Sequence, residues 1–174
     1  MKKTMKYLMV SLLVAMAVGF VGCNKENNTD TPDTPTPQRP DGEIAIRLGS
    51  PDGSYVYNGD TVRYTTTAQD MEDGVASIYL FIDNQTGENI EVMHSYETLA
   101  GPNGLSTQVC ANMACPWSGE AYSVAPGVNA DKPFTIKAHL VPEYSGETIL
   151  YKVVTGKGRR MENAVTTYVQ ITVQ

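Results

Sequence analysis

The sequence predicts an all-β fold, a single antiparallel β-sandwich over residues 43–174. Three observations predict it. Apolar and polar residues alternate at period 2 in segment after segment beyond Glu43. Clusters of Gly, Pro, Asn and Asp break that alternation at short intervals. No stretch sustains a helical period. Short strands joined by tight turns each have one apolar face to bury, and a second sheet is what covers it.

In chain order, Ile44, Ile46 and Leu48 alternate with Ala45 and Arg47 in a first strand. Pro51-Asp52-Gly53 and Asn58-Gly59-Asp60 are turns, with Ser54-Tyr55-Val56-Tyr57 extended between them. Residues 61–68 are rich in β-branched side chains and Tyr, which suits a strand. Residues 76–83 are apolar on both faces, Ile78, Leu80 and Ile82 on one and Tyr79 and Phe81 on the other, as in a central strand. Asn84-Gln85-Thr86-Gly87 turns that strand, and residues 89–98 return with Ile90 and Val92. Residues 100–126 read as irregular. Alternation resumes with Phe134, Ile136, Ala138 and Leu140, then Ile149, Tyr151 and Val153, then Val165, Thr167, Val169, Ile171 and Val173.

The other end of the chain is different in kind. Lys2, Lys3 and Lys6 precede an apolar run, residues 7–21, too short and too Gly-weakened at its end for a membrane span. This reads as a signal peptide, residues 1–22. Phe20-Val21-Gly22-Cys23 resembles a bacterial lipobox, with Phe20 where Leu is usual. The resemblance implies that Cys23 becomes the lipid-modified N-terminus, and that the chain is anchored to a membrane, expected to be the outer one, by acyl chains. Residues 24–41 hold no apolar side chain except prolines and predict a disordered tether up to ~55 Å long; with Cys23 and Gly42 this is a linker, residues 23–42.

Charge narrows the partners. The chain carries −6; the signal peptide holds three of the thirteen basic residues and no acid, so ten bases face nineteen acids beyond it, or −9. Such a surface repels nucleic acid and anionic lipid alike, so attachment falls to the lipid anchor and nucleic acid is excluded as a partner.

Residues from about Ser77 onward resemble an immunoglobulin-like module of Bacteroidota lipoproteins and secreted proteins. The motifs are Asn84-Gln85-Thr86 after a strand, paired Cys110 and Cys115, and Ala125-Pro126-Gly127. A Phe134-led strand ending before Pro142, Gly146 ahead of a strand centred on Tyr151, and the alternating 165–173 strand complete them. The last hairpin loop, usually acidic, is here Gly156-Lys157-Gly158-Arg159-Arg160. The resemblance implies a non-enzymatic sandwich of unassigned role.

Candidate chemistry is sparse. With Cys23 acylated, Cys110 and Cys115 are left as one pair in an exported chain, which reads as a structural disulfide. A thioredoxin-like redox pair needs a different spacing, and a zinc site needs two more ligands, for which only His94 and His139 are on offer. Trp117 either packs beside that disulfide or stands exposed at a binding edge. His94 is in phase with Ile90 and Val92, His139 out of phase with Phe134 and Ile136, and no nucleophile is spaced to either, so no catalytic residue is expected. Asp70, Glu72 and Asp73 share one turn of a kind calcium favours, without EF-hand spacing, and read as solvated. Lys157, Arg159 and Arg160 form a cationic loop on an acidic domain and are candidates to meet an anionic glycan or partner. Asp60-Thr61-Val62 resembles the O-glycosylation sequon of Bacteroidota, a short pattern. No cofactor or metal is expected. The expectation is a binding or adhesion accessory for a glycan or envelope protein. The alternative is a structural or assembly subunit of an envelope complex, for which the proline-free final strand offers an edge to donate.

Overall fold

The computed structural model describes residues 38–67 and 74–174. Cys23 and the Asp70–Asp73 turn lie outside the described residues. Among the described residues eleven strands form two sheets: β1 (Ile44–Leu48), β2 (Tyr55–Val56), β3 (Thr61–Thr66), β4 (Val75–Asn84), β5 (Ile90–Ala100), β6 (Ser106–Cys110), β7 (Tyr122–Val124), β8 (Gly127–Val128), β9 (Phe134–His139), β10 (Thr148–Lys157) and β11 (Glu162–Val173). A 3-10 turn lies at Pro142–Tyr144. One sheet has the order β2-β1-β4-β9-β6, with β8 beside the end of β4; the other is β3-β11-β10-β5-β7. All pairs are antiparallel except β3 with β11.

The core lies between the sheets. Ile78, Leu80 and Ile82 from β4 meet Ile149, Tyr151, Val153, Val169 and Ile171 from β10 and β11, all essentially out of water. Apolar area removed from water stabilises by about 25 cal/mol per Å². The Tyr151 hydroxyl, buried among them, is satisfied by Thr107 Oγ1 on β6 of the opposite sheet at 2.8 Å. β4 is central, as its two apolar faces predict, with β1 on one side and β9 on the other.

Three expectations are corrected. The segment after Asn84 does not return beside β4; β5 crosses to the opposite sheet and pairs with β10 and β7. Asn84, 1% exposed, holds this corner: its Nδ2 donates to the Glu88 and Val124 carbonyls at 2.9 and 3.0 Å, and its Oδ1 accepts the Thr86 N–H at 3.0 Å. A corner and a hairpin use the same turn residues, so the sequence does not separate them. Residues 100–126 are not wholly irregular, since they contain β6 and β7. β6 is an edge strand with only Val109 and Cys110 buried, which hides its alternation. The final strand has no edge to donate: β11 pairs with β10 on one side and β3 on the other as far as Val173.

The expected tether also ends earlier than its composition suggests. Arg39 Nη2 donates to Asp83 Oδ1 at 2.9 Å, and the Tyr57 hydroxyl donates to the Gln38 carbonyl. Asp83 is buried and accepts the Tyr55 hydroxyl at 2.8 Å, while the Arg47 guanidinium lies 4.1 Å over the Tyr55 ring. Burial, reinforced by the Asp83 carboxylate, pushes the Tyr55 phenol up. Residue 39 therefore seats on the domain through charge that the sequence places 44 positions apart, and residue 38 through a neutral hydrogen bond.

Candidate functional site

The site begins at the disulfide. Ala111 and Ala114 exchange backbone hydrogen bonds at 3.1 and 2.9 Å around Asn112 and Met113, both left-handed at φ 48° and 64°. That is the backbone of a two-residue primed turn, which normally takes Asn then Gly. Met113 sits where Gly is preferred, at a cost of roughly 1–3 kcal/mol, and its side chain is 80% exposed. Cys110 and Cys115 flank the turn and are bonded to each other, with Cα atoms 4.5 Å apart. The chain then comes back to β6, where the Trp117 N–H donates to the Val109 carbonyl at 2.8 Å.

Trp117 turns inward. Its ring meets Phe134 and His94 edge-on, at 6.0 and 5.7 Å between centroids, and packs against the core. His94 is 2% exposed and stacks on Phe134 at 4.3 Å. Its Nδ1 lies 2.9 Å from Thr155 Oγ1 and its Nε2 2.9 Å from the Tyr122 hydroxyl, so one nitrogen donates and the other accepts. Burial lowers the imidazole pKa to about 3 and pushes the Tyr122 phenol up. A histidine within reach of a threonine is the geometry of a base and nucleophile. Here both are buried and neither lines a cleft, so no substrate atom reaches them. The inward phase of His94 is legible in the sequence; its partners, 61 and 28 residues away, are not. His139 is on β9, exposed, in the other sheet.

The cationic loop is the tip of the β10–β11 hairpin. A bulge falls at Gly156, where a Cβ would stand 2.6 Å from the Met161 Cα, so only glycine fits. Gly158 N–H donates to the Glu91 carbonyl at 2.8 Å, tying the tip to β5. Of the three expected cations, Lys157 is committed: its Nζ pairs with Glu43 at 3.1 Å, and Asn163 donates to the same carboxylate at 2.9 Å. The Asn163 bond first, then Lys157, hold the Glu43 carboxyl below its usual range. Arg159 and Arg160 are exposed.

The two loops meet. A small cleft of about 100 Å³ is lined by Asn112, Trp117, Ser118 and Glu120. Glu120 and Ala121 also line a second, of about 390 Å³, with Met93 and Arg159. Arg159 in turn lines a third, of about 470 Å³, with Glu91, Lys157, Arg160 and Glu162. Shared walls make these one surface groove, from the disulfide turn past Arg159 to the hairpin tip. Trp117 and Arg159, chosen from separate motifs in the sequence, flank it. Glu91, Glu120 and Glu162 were not singled out and carry no signal beyond their exposed phase. Among the described residues no group of His, Cys, Asp and Glu is placed to hold a metal ion, and no helix is long and apolar enough to cross a membrane.

No protein-family model matches the chain, and a search of curated proteins returns no match. Solved structures match in shape. The N-terminal domain of PorA aligns with a TM-score of 0.57 at 16% identity, over 75% of this chain and 97% of that domain. That agreement, over nearly all of the PorA domain, shows the fold: the described domain is an immunoglobulin-like β-sandwich. A family 123 glycoside hydrolase from Clostridium perfringens reaches 0.48 at 7% identity, over 76% of this chain and 27% of the enzyme. The CooA pilin subunit from enterotoxigenic Escherichia coli reaches 0.43 at 14%, over 75% of this chain and 99% of the pilin. These two are too loose to bear on function.

Proposed function

We propose that the protein is an outer-membrane lipoprotein, anchored through Cys23, whose sandwich is a non-enzymatic binding module for a glycan or an envelope protein. The observation that carries the binding role is Arg159, exposed at the junction of two clefts whose other walls hold Glu91, Glu120 and Glu162. Arginine forks and carboxylates are the groups that grip sugar hydroxyls or the polar rim of a protein. The non-enzymatic reading is supported by His94, whose hydroxyl partners are sealed with it in the core.

Two measurements test this. Cys23→Ser should move the protein from the membrane fraction to the soluble one; retention of a mature protein in the membrane would refute the anchor. A glycan array and an envelope pull-down, run with the full chain and with Arg159→Ala plus Arg160→Ala, test the groove. Signal lost in the variant, with unchanged melting, supports it; signal that survives places binding elsewhere.

A further inference from the structure

The open edge of β5 is a second surface, apart from the groove. β7 pairs with β5 only at Ile90, Glu91 and Val92. From Ser95 to Ala100 every residue of β5 is exposed, Tyr96 at 43% and Leu99 at 44%, and among the described residues β10 is the only strand beside them.

The ladder's polarity shows which backbone groups are free. Gly158 N–H, on the β10 side, donates to the Glu91 carbonyl. In an antiparallel ladder a residue's N–H and C=O point to one side and successive residues alternate. Odd-numbered residues through Glu97 therefore turn to β10, and Tyr96 and Thr98 turn their N–H and C=O to the open side. Proteins blunt such edges with Lys, Pro or bulges. Residues 93–98 hold no Lys, Arg or Pro and pair with β10 in unbroken register, the shift coming only beyond Thr98. Tyr96 is in the inward phase of Ile90, Val92 and His94, yet it stands half in water for want of a neighbouring strand.

Charge decides the occupant. The register that pairs Tyr96 of one copy with Thr98 of another sets the two Glu97 carboxylates directly opposite. That position is the non-hydrogen-bonded one, where side chains come closest, and like charges there repel. We propose that the open edge of β5 accepts an extended segment of a partner protein as an added strand. The segment carries a basic side chain opposite Glu97 and a residue beside it that covers Tyr96.

The test uses the full chain in detergent with two synthetic peptides of alternating Val and Thr, one with a central Lys and one with a central Glu. The Lys peptide should bind roughly tenfold more tightly and slow amide exchange at Tyr96 and Thr98. Glu97→Lys should invert the preference. Thr98→Pro removes an N–H that faces outward, not into the β10 ladder, and should abolish binding without changing the melt. Arg159→Ala with Arg160→Ala should leave binding intact, which separates this edge from the groove. Absence of binding by either peptide, binding that survives Thr98→Pro, an uninverted preference, or a peptide-free dimer with these amides already protected would overturn the proposal.

Discussion

Along β5, Ile90, Val92 and His94 point between the sheets and are sealed, while Tyr96, two residues on and in the same phase, is 43% exposed. The first half has β7 on its open side and Phe134 and Trp117 across the core. The second half has β10 alone. Side-chain phase chooses a face, but a neighbouring strand decides whether that face is dry. The half that is dry also holds a polar group, His94, and can do so because both ring nitrogens are matched.

The largest difference between the halves should come from acid. His94 is neutral when folded, with its pKa held near 3, against 6.5 in the unfolded chain. The unfolded chain takes up the proton first. The stability from His94 is therefore whole above pH 6.5 and falls by ~1.4 kcal/mol per pH unit towards pH 3, a total of order 5 kcal/mol. Urea midpoints at pH 7, 5 and 4 for the native chain and His94→Gln would check it: the native chain should lose more. Equal slopes would show that His94 is not sealed. Ile90→Ala, in the same half, should cost about 2–5 kcal/mol in denaturant unfolding. A cost below ~1 kcal/mol would mean that this half is as open as the other.

The disulfide lies just beyond the dry half, holding the turn that leads to Trp117. Cys110→Ser with Cys115→Ser should lower stability by about 2 kcal/mol on the loop-entropy argument and leave the fold intact. Thiol titration of the native chain should find neither cysteine free, and two free thiols would break this account. The smallest effect belongs to the open half, where Glu97→Ala should fall within about 0.5 kcal/mol of the native chain by thermal melting. A larger loss would mean that β5 already has a partner.

Much of this molecule was legible in the residues. Period-2 alternation marked β1, β4, β9, β10 and β11, because each strand has a face that must leave water, and two apolar faces marked β4 as central. Two cysteines five positions apart, with Cys23 expected to carry lipid, marked the disulfide, and phase marked His94 as inward. What alternation does not carry is which strand lies beside which. The crossing of β5 to the second sheet, the parallel pairing of β3 with β11, and the commitment of Lys157 to Glu43, 114 residues away, come from long-range packing that no local pattern records. The candidate groove is likewise a product of tertiary structure. Trp117 and Arg159 stood out separately in the sequence, and only the meeting of the disulfide turn with the last hairpin sets them on one surface. Local chemistry determines the face a residue seeks, and the fold determines who waits there.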